Sequence, residues 1–285
     1  MAGEFALRVD IDSRYGLLHG VPNIQDILRR LDLKASFYVV MGGETGIFEL
    51  LRTRRSGKTN EPFKGVKLPA AEIARMLLLP RNFAEENVEL LRSIKAQGHF
   101  LGVHGWKHRE WTRALDLIDV RDRLGKCVEK YKELFGEAPT GFVGPGFKTD
   151  ARVLQALDDF GFKYAGDLAG EEAFHPEYKG KRFNHVQVPI TLRAANTSPL
   201  IEEFSLAGMS DDAVAKETIR HINLQSEKGM ASFYCHDIFE GTYKPKVLEE
   251  VLRYAKENLE CTTMEEIGRK AQKSREVADS EFFKA

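Results

Sequence analysis

The stretch Leu7-Arg8-Val9-Asp10-Ile11-Asp12-Ser13 opens the chain with an apolar run that ends in two aspartates. In an extended strand, residues i and i+2 point to the same side, so the two aspartates would share one cavity. The apolar residues between them would fill the opposite face. Parallel α/β folds gather their sites at the carboxyl ends of strands, which is where this strand would end.

A pair of histidines follows a second apolar strand, in Gly102-Val103-His104-Gly105-Trp106-Lys107-His108. A separation of four residues stacks two imidazoles on one helical face, so His104 and His108 could bind one cation. Two histidines and one carboxylate leave open positions for water and substrate, which is typical of a catalytic metal site rather than a structural one. Either motif alone would more often be ordinary surface, but their common position after a strand favours a shared site.

Two further strands end in a titratable residue. The stretch Ser232-Phe233-Tyr234-Cys235-His236-Asp237 ends in a histidine that could act as a general acid, although such a residue is often just a hydrogen-bonded strand end. The short strand Lys163-Tyr164-Ala165-Gly166-Asp167 ends in an acid that could orient His236 through its second ring nitrogen. The neighbouring Asp237 would point away from His236.

A loop rich in glycine could contribute backbone groups to the site. The stretch Gly141-Phe142-Val143-Gly144-Pro145-Gly146-Phe147-Lys148 lets the backbone approach a ligand closely. Its N–H groups at Gly146, Phe147 and Lys148 would be available to a developing oxyanion or to substrate. Trp106, between the two histidines, is expected mainly to pack and also to line the pocket wall.

Composition and charge exclude several classes of protein. The 285 residues are 42% hydrophobic and 30% charged, which suits one large barrel-type domain or two smaller ones. A net charge of −1 gives no general attraction for nucleic acid. Three cysteines without CxxC spacing favour free thiols in a reducing compartment. With no signal peptide and no apolar stretch long enough to cross a bilayer, we expect a cytoplasmic protein, soluble or peripherally attached to the inner face of the membrane.

Short apolar runs alternate with amphipathic stretches along the whole chain, which predicts a parallel α/β architecture, either an open sheet or a barrel. We see no repeat and no flexible linker, so residues 1–285 are expected to form a single domain. The exception is an insertion at about 42–81, because connections in such folds usually have about 4–6 residues.

The insertion combines apolar and basic side chains between residues 47 and 58: Ile47, Phe48, Leu50, Leu51, Arg52, Arg54, Arg55 and Lys58. This mixture is typical of a segment that rests on an anionic membrane surface or binds the phosphate of a lipid carrier. The alternatives are an ordinary excursion from the barrel with a solvated basic turn, or a dimer contact.

The order of these five motifs resembles the polysaccharide deacetylase family (NodB homology, carbohydrate esterase family 4) over roughly residues 5 to 270. The resemblance implies a distorted (β/α)7 barrel and metal-dependent hydrolysis of an N-acyl group from an amino sugar. The stretches Leu7–Gly16, Gly20–Pro22, Gly102–Trp111 and Val188–Leu192 look most like the branch that deformylates undecaprenyl-phosphate-linked 4-formamido-arabinose. That branch also carries a long insertion before its HxxxH motif.

The resemblance assigns a role to each motif. Asp10 matches the catalytic base; Asp12, His104 and His108 match the metal ligands; and Asp167 matches the acid that tunes the catalytic His236. The implied cofactor is a divalent metal, Zn²⁺ first, with Co²⁺, Ni²⁺ or Mn²⁺ as alternatives. One departure affects the base: where the family has an arginine that positions it, this chain has Val143. Lys148 is the nearest cation along the sequence that could replace that arginine.

Three functions are therefore weighed. The first is a metal-dependent hydrolase that removes a formyl or acetyl group from an amino-sugar conjugate, free or polyprenyl-phosphate-linked. The second is an allantoinase-like amidohydrolase that works without metal, which the retention of Asp12, His104 and His108 argues against. The third is a noncatalytic module that binds carbohydrate or lipid, which the intact Asp10 and His236 argue against. The oligomeric state, the sugar and the acyl group are left open.

Overall fold

The apolar strand that opens the chain lies in the middle of a curled parallel sheet. The computed structural model describes residues 3–47 and 68–272. Its strands are β1 (Glu4–Ile11), β2 (Ser36–Val39), β3 (Phe100–Val103), β4 (Gly141–Phe142), β5 (Tyr164–Ala165), β6 (Glu177–Tyr178), β7 (Lys181–Arg182), β8 (Val186–Gln187), β9 (Met230–His236) and β10 (Glu260–Thr262). Its helices are α1 (Arg14–Arg30), α2 (Ala70–Leu78), α3 (Phe83–Glu86), α4 (Val88–Ala96), α5 (His108–Ala114), α6 (Val120–Phe135), α7 (Ala151–Asp159), α8 (Leu200–Leu206), α9 (Asp211–Ser226), α10 (Pro245–Asn258) and α11 (Met264–Ala271).

The strands follow one another around the sheet almost in chain order. The order is β10, β1, β2, β3, β4, β5, β8. Strand β9 lies outside this order and pairs with β1. All of these pairings are parallel. A parallel bridge between Leu192, beyond β8, and Phe233 of β9 joins the two ends of the curled sheet. The predicted distorted (β/α)7 barrel is confirmed, and β6 and β7 form a separate antiparallel hairpin.

The two sides of β1 have different surroundings, as the alternation in its sequence predicts. Val9 and Ile11 are fully buried in the apolar layer that also includes side chains of the surrounding helices. Burying a side chain of this size stabilises the fold by roughly 1.5–3 kcal/mol. Ala6 faces the other side, with Tyr38, Tyr164 and Tyr234. The alternation therefore places Arg8 and Asp10 inside the curled sheet, where both are buried.

Only part of the insertion can be compared with its prediction. Residues 48–67 lie outside the described residues, and so does most of the proposed interfacial segment 47–58. The described part contains α2, none of whose residues is buried. In the described ranges, no helix is long and apolar enough to cross a membrane. Cys127, Cys235 and Cys261 are all free thiols, as predicted.

Candidate active site

The three predicted metal ligands converge at the carboxyl end of the sheet. Asp12 follows β1, His104 follows β3 and His108 is the first residue of α5. The Nε2 atom of His104 lies 3.1 Å from Oδ1 of Asp12, and Nε2 of His108 lies 3.5 Å from Oδ2. One ligand atom from each residue lies within 4.8 Å of the others, the geometry of a group that can hold a metal ion. The His108 side chain is 36% exposed, so the group opens to solvent on that side.

The two histidines reach this point differently from the way their spacing predicts. They do not share a helical face, because α5 begins only at His108 and His104 lies in the preceding loop. Gly105 turns that loop with a φ of +73°, a conformation that side chains other than glycine rarely adopt. The imidazoles still approach each other, with ring centroids 5.7 Å apart. The loop turn, rather than helical periodicity, brings them together.

The polar atoms of this group fit a bound cation. The Val143 carbonyl accepts a hydrogen bond of 2.8 Å from Nδ1 of His104, which leaves the lone pair of Nε2 in a neutral ring directed at Asp12. Oδ1 of Asp12 is buried, and no described residue donates a hydrogen bond to it. Although burial opposes its ionisation, the His108 and His104 imidazoles, when protonated, hold the pKa of Asp12 well below its ordinary value. A lone pair that faces a carboxylate oxygen is favourable when a cation lies between them.

Asp237 fixes the backbone of the aspartate ligand, a role that the sequence did not suggest. Its Oδ2 accepts hydrogen bonds from the backbone N–H groups of Asp12, at 3.2 Å, and Ser13, at 3.4 Å. Ser13 in turn caps α1 through its side chain. A Cβ atom on Gly16 would lie 2.1 Å from the Asp237 carboxylate, so only glycine allows the helix so close. Asp237 does point away from His236, as expected, and towards this turn.

The predicted base, Asp10, is held by an arginine of its own strand. Arg8 donates from Nε and Nη2 to the two oxygens of Asp10, both at 2.7 Å, and from Nη1 to the Gly166 carbonyl at 2.9 Å. A bidentate pair of this kind, the Arg8 fork, holds the plane of the carboxylate in one orientation and stabilises its negative charge. Oδ2 of Asp10 lies 3.7 Å from Nε2 of His104, beside the metal group. The fork therefore fixes the orientation of the predicted base beside the three residues that could hold a metal ion.

The suggestion that Lys148 replaces the family arginine was wrong. Arg8 already binds both oxygens of Asp10, and Lys148 is exposed. The correct partner was detectable in the sequence, because Arg8 and Asp10 are i and i+2 on one strand and so share a face. Val143, which stands in the family position, contributes its backbone carbonyl to His104 instead.

His236 is paired with a glutamate from α8. Its Nδ1 donates to Oε2 of Glu202 at 3.1 Å, while Nε2 lies 3.9 Å from Oδ2 of Asp12 and so faces the metal group. Burial alone would lower the pKa of His236, but the hydrogen bond to Glu202 and the nearby carboxylates raise it to about 10. The His236 backbone N–H donates to the buried Glu240, whose own pKa burial raises to about 8. The histidine is thus suited to carry a proton at the edge of the site.

The role expected for Asp167 is therefore wrong in one respect. It was to orient His236, but its carboxylate accepts a hydrogen bond from the Gly144 backbone instead. The Gln187 side chain accepts from the Asp167 backbone N–H at 3.1 Å and fixes the turn. Burial raises the pKa of Asp167 to about 6. Asp167 lies beneath the glycine-rich loop and supports it, and Glu202 takes the position of the partner of His236.

The glycine-rich loop covers the Arg8–Asp10 pair. Gly146 and Phe147 both have positive φ, 63° and 55°, and the Phe147 ring centroid lies 4.7 Å from the Arg8 guanidinium carbon. The expectation that Phe147 and Lys148 offer free amides to an oxyanion was wrong, because their N–H groups donate to the Gly144 and Pro145 carbonyls. The Gly146 amide remains the predicted donor of this loop.

Two tryptophans anchor the surroundings of the histidines. Trp106 is half-buried and packs against the main apolar layer, which agrees with its expected packing role. Its carbonyl accepts a hydrogen bond of 2.6 Å from Gly42, tying the loop to the end of β2. Trp111 is buried and donates from Nε1 to the Lys148 carbonyl at 2.8 Å, so it connects α5 to the glycine-rich loop.

Comparison with known proteins finds similarity to the same family that the sequence motifs resemble. Residues 68–165 match the family model described as polysaccharide deacetylase. A "Probable 4-deoxy-4-formamido-L-arabinose-phosphoundecaprenol deformylase ArnD" of Shewanella sediminis (strain HAW-EB3) is 26% identical over 270 residues, covering 90% of this chain and 82% of that protein. A "Peptidoglycan deacetylase" of Helicobacter pylori (strain ATCC 700392 / 26695) is 33% identical over 176 residues, covering 61% of this chain and 52% of that protein.

The fold comparison agrees with the sequence comparison. A crystal structure named "putative polysaccharide deacetylase from Mycobacterium smegmatis" superposes with a TM-score of 0.66 and 17% identity, over 94% of this chain and 90% of that one. The parallel barrel, the family match and the Asp-His-His group at the carboxyl ends of the strands are mutually consistent. Residues 68–165 of this chain therefore match a polysaccharide deacetylase (NodB homology, carbohydrate esterase family 4) domain, and two relatives of the chain are named as amide-hydrolysing enzymes, a deformylase and a peptidoglycan deacetylase.

Proposed function

We propose that this protein is a metal-dependent hydrolase that removes an N-acyl group from an amino-sugar conjugate. The observation that carries the proposal is the convergence of Asp12, His104 and His108 beside a base already held by Arg8. His236 stands at the same rim, paired with Glu202. The arrangement supplies the three tasks of amide hydrolysis: a metal site, a base for water and an acid for the leaving amine.

Each residue has a separate part in this reaction. A divalent metal held by Asp12, His104 and His108 would polarise the acyl carbonyl and lower the pKa of water. Asp10, fixed by the Arg8 fork, takes the proton of the attacking water. His236 delivers a proton to the departing nitrogen, which is a poor leaving group until it is protonated. Glu202 holds the His236 ring in the orientation that directs Nε2 into the site.

The proposed substrate is a formylated amino sugar linked to a polyprenyl phosphate. The name of the Shewanella relative supports it, and that relative resembles this chain over most of both lengths. The name of the Helicobacter relative supports the alternative, an acetylated amino sugar of peptidoglycan, over a shorter stretch. We propose Zn²⁺ as the metal, because two imidazoles and one carboxylate with an open position are typical of catalytic zinc.

A substrate panel tests this function. Protein purified without added metal should contain a divalent ion, lose hydrolysis on chelation and regain it with Zn²⁺. The panel contains formylated and acetylated amino sugars, each free and prenyl-phosphate-linked, and is scored by released formate or acetate. Co²⁺, Ni²⁺ and Mn²⁺ are added separately to compare the metals. Protein without a bound ion and hydrolysis insensitive to chelation would instead favour the metal-independent amidohydrolase.

A lipid-linked substrate would require contact with a membrane surface, at its inner face. The described part of the insertion exposes apolar side chains: Ile47 is 39% exposed, Ile73 40%, Leu78 69% and Leu79 61%. The basic residues predicted to accompany them lie outside the described residues. Basic side chains near an anionic surface contribute about 1 kcal/mol each, enough with modest apolar insertion for reversible binding.

We therefore expect the protein to co-sediment with anionic but not neutral liposomes at low salt. A variant with Arg52, Arg54, Arg55 and Lys58 changed to Ser should remain in the supernatant. The matched control changes four exposed cations of α10 and α11 to Ser: Lys246, Arg253, Lys256 and Arg269. Equal partition of the two variants and the wild type would exclude a specific membrane role for the insertion.

A further inference from the structure

Arg193 is a partly buried cation next to the site, and it forms no ion pair with any described residue. Its guanidinium is buried enough for desolvation to lower its pKa. Among the described residues, no carboxylate lies within ion-pairing distance of it. Holding an unpaired cation away from water costs free energy, and proteins usually avoid that cost unless a ligand supplies the missing charge.

The position of Arg193 connects it to the catalytic residues. Leu192 bridges to Phe233 and belongs to the apolar layer beneath the helices, so the alternation of the strand turns Arg193 towards the opposite side. The Arg193 guanidinium carbon lies 4.6 Å from the ring centroid of Phe147, the same ring that covers Arg8. Phe147 in turn contacts Tyr234, which contacts His236, with ring centroids 5.2 and 5.6 Å apart. Arg193 is thus separated from Arg8 by one aromatic ring and from His236 by two.

The backbone around Arg193 is held in an uncommon conformation. Arg193 lines a cavity of about 380 Å³ together with Thr191, Ala194 and Thr197. Thr197 has a φ of +69°, although it is not a glycine, and its carbonyl accepts the hydroxyl of Tyr234. Non-glycine residues with positive φ cost free energy and concentrate at functional sites. The segment then continues into α8, which carries Glu202.

From the unpaired charge and its place between the cavity and the Phe147 ring, we propose that Arg193 binds an anionic group of the substrate, a phosphate or a carboxylate. A guanidinium binds either group through paired hydrogen bonds, and the aromatic ring beneath it keeps its plane fixed. This inference rests on the proposed function and specifies it: the amino sugar would carry an anion, with its acyl group directed at the metal site. A phosphate would belong to a prenyl-linked sugar, and a carboxylate to the lactyl group of a muramic acid.

Binding of inorganic phosphate to chelator-treated protein tests the site without catalysis. Isothermal titration should show binding to the wild type that weakens about tenfold or more in Arg193→Gln, as expected for loss of charge-assisted hydrogen bonds. The matched control is Arg182→Gln, an exposed arginine of β7, which should bind phosphate like the wild type. Equal affinity of wild type and Arg193→Gln would overturn the proposal.

Kinetics with paired substrates then identify the anion. One pair is a prenyl-phosphate-linked formamido sugar and its methyl glycoside, and the other is N-acetylmuramic acid and N-acetylglucosamine. Arg193→Gln should raise KM about tenfold for the anionic member of one pair and leave kcat on the neutral member unchanged. An equal change for anionic and neutral substrates in both pairs would overturn an anion-binding role. If the wild type hydrolyses none of the four, the proposed function fails, while the phosphate titration still decides the role of Arg193.

Discussion

Asp10→Asn should leave the bound metal in place and reduce turnover by about 10²–10⁴, the range typical of a lost general base. The metal is retained because Asp12, His104 and His108 form the proposed ligand group without Asp10. His104→Ala should instead remove both metal and activity, since it deletes a ligand from the centre of the group. Metal content by elemental analysis and kcat on a formamido sugar are measured on the same preparations.

Two further variants separate chemistry from loss of structure. His19→Ala, an exposed histidine of α1, should match the wild type in metal content and in kcat. Arg8→Lys keeps the charge near Asp10 but not the fork that fixes its plane, so kcat should fall by up to about 10² at unchanged metal content. If Asp10→Asn turned over at the wild-type rate, Asp10 would not be the base. An Arg8→Lys enzyme with wild-type kcat would show that the fork does not position it.

The parts of the site that a strand carries were predictable from the sequence. The alternation in β1 placed Asp10 and Asp12 opposite the apolar residues, and in the structure both carboxylates lie beside Nε2 of His104. The same alternation places Arg8 on the face of Asp10, so this arginine partner also follows from the sequence. Strands are informative because successive side chains point to opposite faces of the sheet, so the sequence alone gives the face of each residue.

The parts that depend on loops and on distant elements were not predictable in this way. His104 and His108 meet through a turn at Gly105, whereas their spacing suggested a helix. Glu202 reaches His236 from a helix far away in sequence, and no local pattern distinguishes it from Glu203, the other acidic residue of α8. Which carboxylate approaches a given histidine is decided by how α8 packs on the barrel, a tertiary property that single-sequence periodicity does not contain.

Two carboxylates are candidates for the residue that orients His236: Glu202, which contacts it in the structure, and Asp167, which the sequence suggested. Replacing each of them should show which one has this role. His236→Ala should slow amide substrates by about 10²–10⁴ but slow activated esters much less, because an ester leaving group of low pKa needs little protonation. Glu202→Gln should also slow amides more than esters, but by less than His236→Ala does. We expect a loss of about 10–100-fold on amides, as is typical when the residue that orients a catalytic histidine is lost. Turnover of an N-formyl sugar and of an activated formate ester by the same preparations measures the ratio.

Asp167→Asn is the matched comparison, since it removes the carboxylate that the sequence assigned to this role. Its hydrogen bond goes to the Gly144 backbone, so an amide should preserve the loop only in part and should slow amides and esters alike. A selective loss of amide hydrolysis in Asp167→Asn, with none in Glu202→Gln, would restore the sequence-based assignment. The opposite pattern would establish that this chain positions its catalytic acid from α8, where the 3.1 Å contact between Glu202 and His236 lies. The selectivity ratio decides this because a merely structural defect would lower both activities together.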